Sequence, residues 1–283
     1  MDVAGLTSGV IALSAGNEHA CALTNTGGVK CWGDNLWGQL GDGTTINRFT
    51  PTDVTGLSSG VTTISTKDRH TCALMNTGDI KCWGLNDRGQ LGDGGGGVTC
   101  GFRNSFVCRL TPVDVEGLDS GVAAVVTGSS HTCVLTATGG VKCWGGNRRG
   151  ELGDGTSDGV PCPYEGSNVC RLTPVNVAGL TSGVIALSAA PNHTCVLTAA
   201  SGVKCWGGYN EWGELGDGTT DGRMTPVDVV GLAGGVTAIS AGHYHTCART
   251  LSGKLKCWGN NEYGKLGDGT AWDSPIPIDV VWP

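Results

Sequence analysis

Short runs of small and β-branched residues alternate along the chain with polar, glycine-rich breaks. "GVIALSAG", "GVTTISTK", "GVAAVVTG", "GVIALSAA" and "GVTAISAG" form one set of runs. Each leads into a stretch such as "HTCALM" or "HTCVLT", then into "GVKCWG" or a close variant. Apolar residues alternating with polar ones over a few positions, bounded by glycine, predict half-buried strands. An extended piece around "TPVDV" brings the count to about four strands per unit. Its prolines, Pro51, Pro112, Pro174 and Pro226, suit the start or outer edge of a sheet. Nothing reads as a long helix.

The runs recur at a fixed interval. Taking the cysteine before each Trp-Gly as a marker, positions 31, 82, 143, 205 and 257 lie 51, 61, 62 and 52 residues apart. A basic unit of about 51 residues therefore repeats five times, at about 1–50, 51–111, 112–173, 174–225 and 226–283. The two long intervals hold inserts, "GGVTCGFRNSFVCRL" and "TSDGVPCPYEGSNVCRL", each with its own pair of cysteines. Repeat four has one further residue between Trp206 and Gly213.

Hairpin geometry accounts for the cysteines. If Thr24 faces Gly28 across a loop of Asn25, Thr26 and Gly27, then Cys21 faces Cys31, and Gly27 supplies the left-handed residue that the turn needs. The same count sets Cys72 against Cys82, Cys133 against Cys143, Cys195 against Cys205 and Cys247 against Cys257. The inserts pair Cys100 with Cys108 and Cys162 with Cys170, which uses all 14 cysteines. Three states compete: disulfides, reduced core thiols and zinc ligands. Five in-register cross-strand pairs favour disulfides, and the close Cys-x-x-Cys knuckles of zinc sites are absent. An oxidising compartment is the expectation that follows, with secretion as the route and no signal peptide within these residues.

Repeats of the form "HTCALT", turn, "GVKCWG", Asn, "GQLGDGT", "TPVDV" resemble those of the regulator of chromosome condensation family. The resemblance covers essentially the whole chain and implies an all-β fold: a single β-propeller domain over residues 1–283, with four-stranded blades and disulfide-stapled hairpins. Members of the family include a chromatin-bound nucleotide exchange factor, a plant ultraviolet photoreceptor and secreted bacterial inhibitors of β-lactamases. The cysteine framework is most similar to the secreted type. Family propellers commonly have seven blades, whereas five periods are present here. Because Asp2-Val3 and Asp279-Val280 repeat one word, a five-bladed ring closed between its ends is expected, with a fragment of a larger ring as the rival.

Charge and composition narrow the function. A formal net charge of −7 disfavours nucleic-acid binding, and no apolar run is long enough to span a membrane. The 50 glycines fit many tight turns. His19, His70, His131, His193 and His245 precede the first cysteine of each hairpin by two positions, where stitching of neighbouring blades is a better account than a metal ring. Trp32, Trp83, Trp144, Trp206 and Trp258 read as repeated packing anchors. Asp42, Asp93, Asp154, Asp217 and Asp268 read as turn formers without calcium-loop companions. Neither a metal site, a cofactor nor the asymmetric set of groups that catalysis requires is expected.

What varies between copies carries the functional expectation. Between the recurring Asn and Gly before "QLG" lie Leu36-Trp37, Asp87-Arg88, Arg148-Arg149, Glu211-Trp212 and Glu262-Tyr263. Equivalent loops of a propeller share a face, so Trp37, Arg88, Arg148, Arg149, Trp212 and Tyr263 are the candidate binding residues, with Phe102, Phe106 and Tyr164 of the inserts beside them. Aromatic residues and Arg are enriched in interface hot spots. An extracellular protein partner leads. Carbohydrate binding is the alternative, weakened because the aromatic is missing from two of the five tips, and a purely structural or assembly module is the third possibility.

Overall fold

A computed structural model describes residues 3, 5–156, 159–162 and 165–281. Tyr164 lies outside the described residues, so the expectation placed on it stays untested. Five sheets follow one another along the chain, each an antiparallel meander. The first comprises Val10–Ala15, His19–Thr24, Val29–Gly33 and Arg48–Asp53. In the second, Val61–Lys67, His70–Met75, Ile80–Leu85 and Phe106–Asp114 play the same parts. The remaining three repeat this order, starting at Val122, Val184 and Val236. The inserts add a fifth, outermost strand to two blades, Val98–Cys100 and Val160–Cys162.

The predicted hairpin register holds. Cys21 lies opposite Cys31 and Leu23 opposite Val29, Thr24 N–H bonds to the Gly28 carbonyl, and Gly27 has a φ of 78°. In repeat four Ser201 takes the same left-handed conformation. All fourteen cysteines are joined in the seven expected pairs.

The core lies between blades. Leu23, Val29 and Leu40 of the first blade pack against Val54, Leu57, Val61, Ile64 and Trp83, which belong to the linker and the second blade. Three more clusters repeat this composition around the arc. A fixed set of hydrogen bonds directs each joint. The indole N–H of Trp83 donates to the Gln39 carbonyl at 2.9 Å, and Trp144, Trp206 and Trp258 donate to the carbonyls of Gln90, Glu151 and Glu214. Beside each indole, a histidine of the earlier blade meets a threonine of the later one: His19 with Thr71, His70 with Thr132, His131 with Thr194, His193 with Thr246. The hydroxyls of Thr71, Thr132 and Thr246 donate onward to the same carbonyls. Each of those oxygens therefore accepts from the histidine Nε2–H, which leaves Nδ1 as the unprotonated nitrogen.

Among the described residues the arc does not close. Trp32, which occupies the place of Trp83, makes no indole bond among the described residues and is half exposed, and its neighbour Leu13 is 70% exposed. Phe49 corresponds to Leu110, which covers Gly38 of the preceding blade, but is itself 96% exposed. At the other end His245 meets no threonine among the described residues. The expected pairing of the first and last segments is thus corrected: Val3 lines an open groove with Trp32 and takes the place that Val54 has in the second blade, so the repeated Asp-Val reflects the register of the repeat.

Two outcomes follow. Burial holds His19 and His131 down at about 4 and His70 and His193 at about 3, from an ordinary 6.5. The unfolded chain takes up those protons first, so this contribution is complete above about pH 6.5 and is lost as pH falls toward 4. Thermal melts should be level above pH 7 and decline between about pH 6.5 and 4.5, a slope that His131→Gln makes shallower; a flat profile would count against neutral buried imidazoles. In urea, Trp83→Ala should cost about 3 to 5 kcal/mol, and Trp32→Ala a small part of that.

Candidate binding face

Topology places the variable loops together. In a four-stranded meander the first-to-second turn and the third-to-fourth loop share one end of the sheet. Backbone bonds tie them there: Asp34 N–H to Glu18, Leu85 to Arg69, Gly146 to Ser130 and Asn260 to Tyr244. The Thr-x-Gly hairpins and the inter-blade linkers occupy the opposite end, where Val29 N–H bonds to the Leu57 carbonyl.

Each loop is built around its asparagine. Asn35 Oδ1 accepts from Leu40 N–H, while Nδ2 donates to Asp42 and to the Thr44 and Ile46 carbonyls. Asp42 in turn receives Thr44 and the guanidinium of Arg48. These bonds hold its carboxyl below the usual range, outweighing its partial burial. Asp93, Asp154 and Asp217 pair with Arg109, Arg171 and Arg223 in the same way. The recurring aspartate is therefore a turn and rim-strand fastener. Among the described residues no group of three or more His, Cys, Asp or Glu side chains is arranged to hold a metal ion.

The residue before the loop leucine sets the tip chemistry. Gln39 and Gln90 accept the N–H of Trp37 and Arg88 and must place their own amide protons, which go to Asp34 and Asp87. Glu151 and Glu214 need no such acceptor: Glu151 receives Arg149 N–H, and Glu214 receives those of Asn210 and Trp212. Burial raises the carboxyls of both. Blades three and four consequently carry no matching aspartate.

The structure distributes the candidate residues unequally. Trp37, expected at an exposed tip, is 3% exposed. Its ring lies edge-on to Phe106 at 4.7 Å and to Phe102 at 6.3 Å, with the Arg69 guanidinium 4.7 Å above it and the Cys100–Cys108 bridge in the same cluster. A Cβ on Gly101 would come within 2.2 Å of this ring, so the insert needs glycine there. Trp37 is thus the floor on which the insert of blade two sits, and Phe102, 72% exposed, stands above it. Phe106 is half-buried. Arg148 is exposed, and Arg149 lies over the Tyr209 ring at 3.2 Å, close enough to Arg148 and Arg88 for their charges to lower its pKa after burial has done so. The half-buried Arg88 leans on Gly146 of the next blade. Trp212 packs 4.6 Å from Tyr244, which stacks on His243 at 4.0 Å. Tyr263 is 89% exposed and adopts a φ of 68°.

Arg69, Tyr209, His243 and Tyr244 were not among the residues singled out from sequence. Arg69, His243 and Tyr244 lie in the first-to-second turns, away from the aligned tips. Tyr209 did leave a signal, because it falls within the one-residue expansion of repeat four.

Five successive four- and five-stranded sheets, joined by one repeated contact and bearing unlike side chains on a common face, define a β-propeller, a fold used as a protein-binding module. The chain belongs to the RCC1-like domain family, which matches residues 2–282. It is 28% identical to the ultraviolet-B receptor UVR8 of Arabidopsis thaliana over 97% of its own length, and 30% identical to the mitochondrial RCC1 domain-containing protein RUG3 of the same plant over 95%. It spans 58% of each of these relatives. Human WBSCR16 shares the fold at a TM-score of 0.78 with 23% identity, covering 97% of this chain and 67% of its own. Prp20p from Saccharomyces cerevisiae does so at 0.76 with 22% identity, over 96% and 63%.

Alanine substitutions separate floor from surface. Trp37→Ala should lower stability by about 3 to 5 kcal/mol and speed hydrogen exchange across 98–110. Tyr263→Ala should stay within about 0.5 kcal/mol of the parent. Equal effects in chemical denaturation would contradict this division.

Proposed function

We propose that residues 1–283 form one domain, a non-enzymatic binding propeller that works in an oxidising, extracellular setting and holds a protein partner on the face carrying the third-to-fourth loops. The supporting observation is a contrast. The joints are near-identical from blade to blade, whereas the tips above them present Phe102, the Arg88, Arg148 and Arg149 group with Tyr209, the Trp212 and Tyr244 pair, and Tyr263. Unlike chemistries on equivalent positions suit one asymmetric partner that spans several blades, and Tyr, Trp and Arg are the hot-spot residue types. Seven disulfides support the oxidising compartment. Prp20p, a fold relative, is described with its binding to Gsp1p and histones. Protein recognition is thus a use to which the fold has been put. Net charge argues against nucleic acid as the ligand and nothing here favours membrane insertion.

Carbohydrate binding is the second reading, favoured by the stacked Trp212, Tyr244 and His243 platform. One experiment compares the two. The immobilised chain is offered an extracellular fraction and, in parallel, a glycan array. Arg149→Ala and Tyr263→Ala should each weaken a captured protein by about 2 kcal/mol with melting unchanged. Unaltered affinity in both variants would place the site off this face, and glycan binding lost in Trp212→Ala would replace the protein reading.

A further inference from the structure

In the first four blades an arginine fastens the third-to-fourth loop. The guanidiniums of Arg48, Arg109, Arg171 and Arg223 donate through Nε to Oδ2 of Asp42, Asp93, Asp154 and Asp217, at 2.6 to 3.1 Å. In blades one, three and four a second bond runs from Nη2 to the hydroxyl of Thr44, Thr156 or Thr219. A carboxylate and the threonine two residues after it thus form a seat, and the outer strand of the same blade supplies the guanidinium. With the arginine in place, the four aspartate side chains are only 5 to 7% exposed.

Blade five keeps the seat and lacks the arginine. Asp268 Oδ1 accepts from the Thr270 N–H and from Asn261 Nδ2, as Asp42 Oδ1 accepts from Thr44 and Asn35. At the register of the arginine, opposite the glycine that follows the tryptophan, stands Ser274. Its hydroxyl donates to the Ile276 carbonyl, along its own strand. Oδ2 of Asp268, which faces an arginine in the sister loops, accepts the Thr270 hydroxyl instead, and among the described residues Asp268 has no ion pair. Its bonds with Thr270 lie open to solvent, whereas those of Asp42 and Asp217 are partly buried.

Two aromatic residues belong to the same loop. Tyr263 is 89% exposed and Trp272 is 81% exposed. The Trp272 N–H bonds to the Thr270 hydroxyl, and Gly264, next to Tyr263, stands beside the Thr270 carbonyl. Ile46, which holds the place of Trp272 in blade one, is exposed as well, so this position points outward by the build of the loop. Exposed rings on a loop that carries an unpaired carboxylate favour a guanidinium, which stacks on aromatic faces, over an ammonium.

We propose that the blade-five loop is a seat for an arginine side chain of the protein partner, with Asp268 and Thr270 taking the guanidinium as Asp42 and Thr44 take Arg48, between Tyr263 and Trp272. The inference rests on the reading of this face as a protein-binding surface. On binding, the Thr270 hydroxyl turns back to Oδ1, where that of Thr44 lies, and Oδ2 receives the arginine. The pairing is charge-assisted and can be bidentate, which a lysine cannot reproduce.

The chain alone suffices for the first test. Acetyl-Gly-Arg-Gly-amide and its lysine counterpart are titrated into the isotope-labelled chain and followed by amide chemical shifts. The amides of Gly269 and Thr270 should shift and saturate with the arginine peptide, and those of Gly43 and Thr44, whose seat Arg48 fills, should stay in place. The lysine peptide should bind severalfold more weakly. Ser274→Arg supplies the guanidinium from within the blade and should abolish the titration. Should that variant not fold, Asp268→Asn decides: it keeps an acceptor for the Thr270 N–H, loses the charge, and should weaken binding severalfold. Equal shifts at Thr44 and Thr270, equal binding of the two peptides, or binding undiminished in the variants overturns the proposal. A captured partner protein that Ser274→Arg holds as tightly as the parent also overturns it, while leaving the face in place. A chain that captures no protein yet titrates selectively with the arginine peptide supports the seat and removes the reading of the face.

Discussion

One backbone carbonyl per blade organises the molecule. The carbonyl of Gln39, and of Gln90, Glu151 and Glu214 after it, accepts an indole N–H from the next blade, and in three of the four joints a threonine hydroxyl as well. A carbonyl has two lone pairs, so both donors are satisfied in a dry place where an unpaired one would cost about 1 to 3 kcal/mol. The joint uses only the main chain at that position, so Gln, Glu and Lys all occur there. What cannot vary is the position of the carbonyl, and the Asn-x-x-Gly loop exists to hold it. Asn35 binds the N–H of the following leucine, Asp42 binds Asn35, and Arg48 binds Asp42. The rigid scaffold runs from the joint to the outer strand through these side chains.

Freedom at the tips is a consequence of that rigidity. The two residues between Asn and Gly contribute a backbone N–H to the glutamine or glutamate below them and little else to the joint. Their side chains are therefore available for other work. Blade one uses Trp37 to seat a disulfide-closed insert, blade three projects Arg148 and Arg149, and blade five raises Tyr263 into solvent. Where glutamate replaces glutamine below the tip, no amide proton has to be placed and no aspartate acceptor is required. A binding surface can in this way change its chemistry from blade to blade without disturbing the core.

The cross-strand disulfides act within single hairpins. Each closes a short loop and pins one pair of middle strands in register, so it restrains little chain entropy and does not link one blade to another. Cohesion between blades rests instead on the buried leucines, the tryptophan and the neutral histidine. The two insert bridges shape peripheral fingers, one of which is anchored on the neighbouring blade through Trp37.

The chain alone determined the repeat, the strands, the hairpin register and the cysteine pairing, because each depends on neighbours within about ten residues, where glycine at a left-handed position and period-two alternation act directly. It also separated the architectural His, Trp and Asp from the variable tips, since recurrence in five copies is visible without coordinates. Burial across blades was not legible. Trp37 and Tyr263 occupy equivalent positions in sequence, and only the docking of the blade-two insert makes one a core residue and the other a solvent-exposed ring. Closure was equally out of reach: the repeated Asp-Val suggested a seam, while the open Trp32 groove emerges only when each blade is seen against its neighbour. Local pattern specifies a blade, but which faces meet depends on side chains from separate repeats arriving together, and that is a property of the assembled arc.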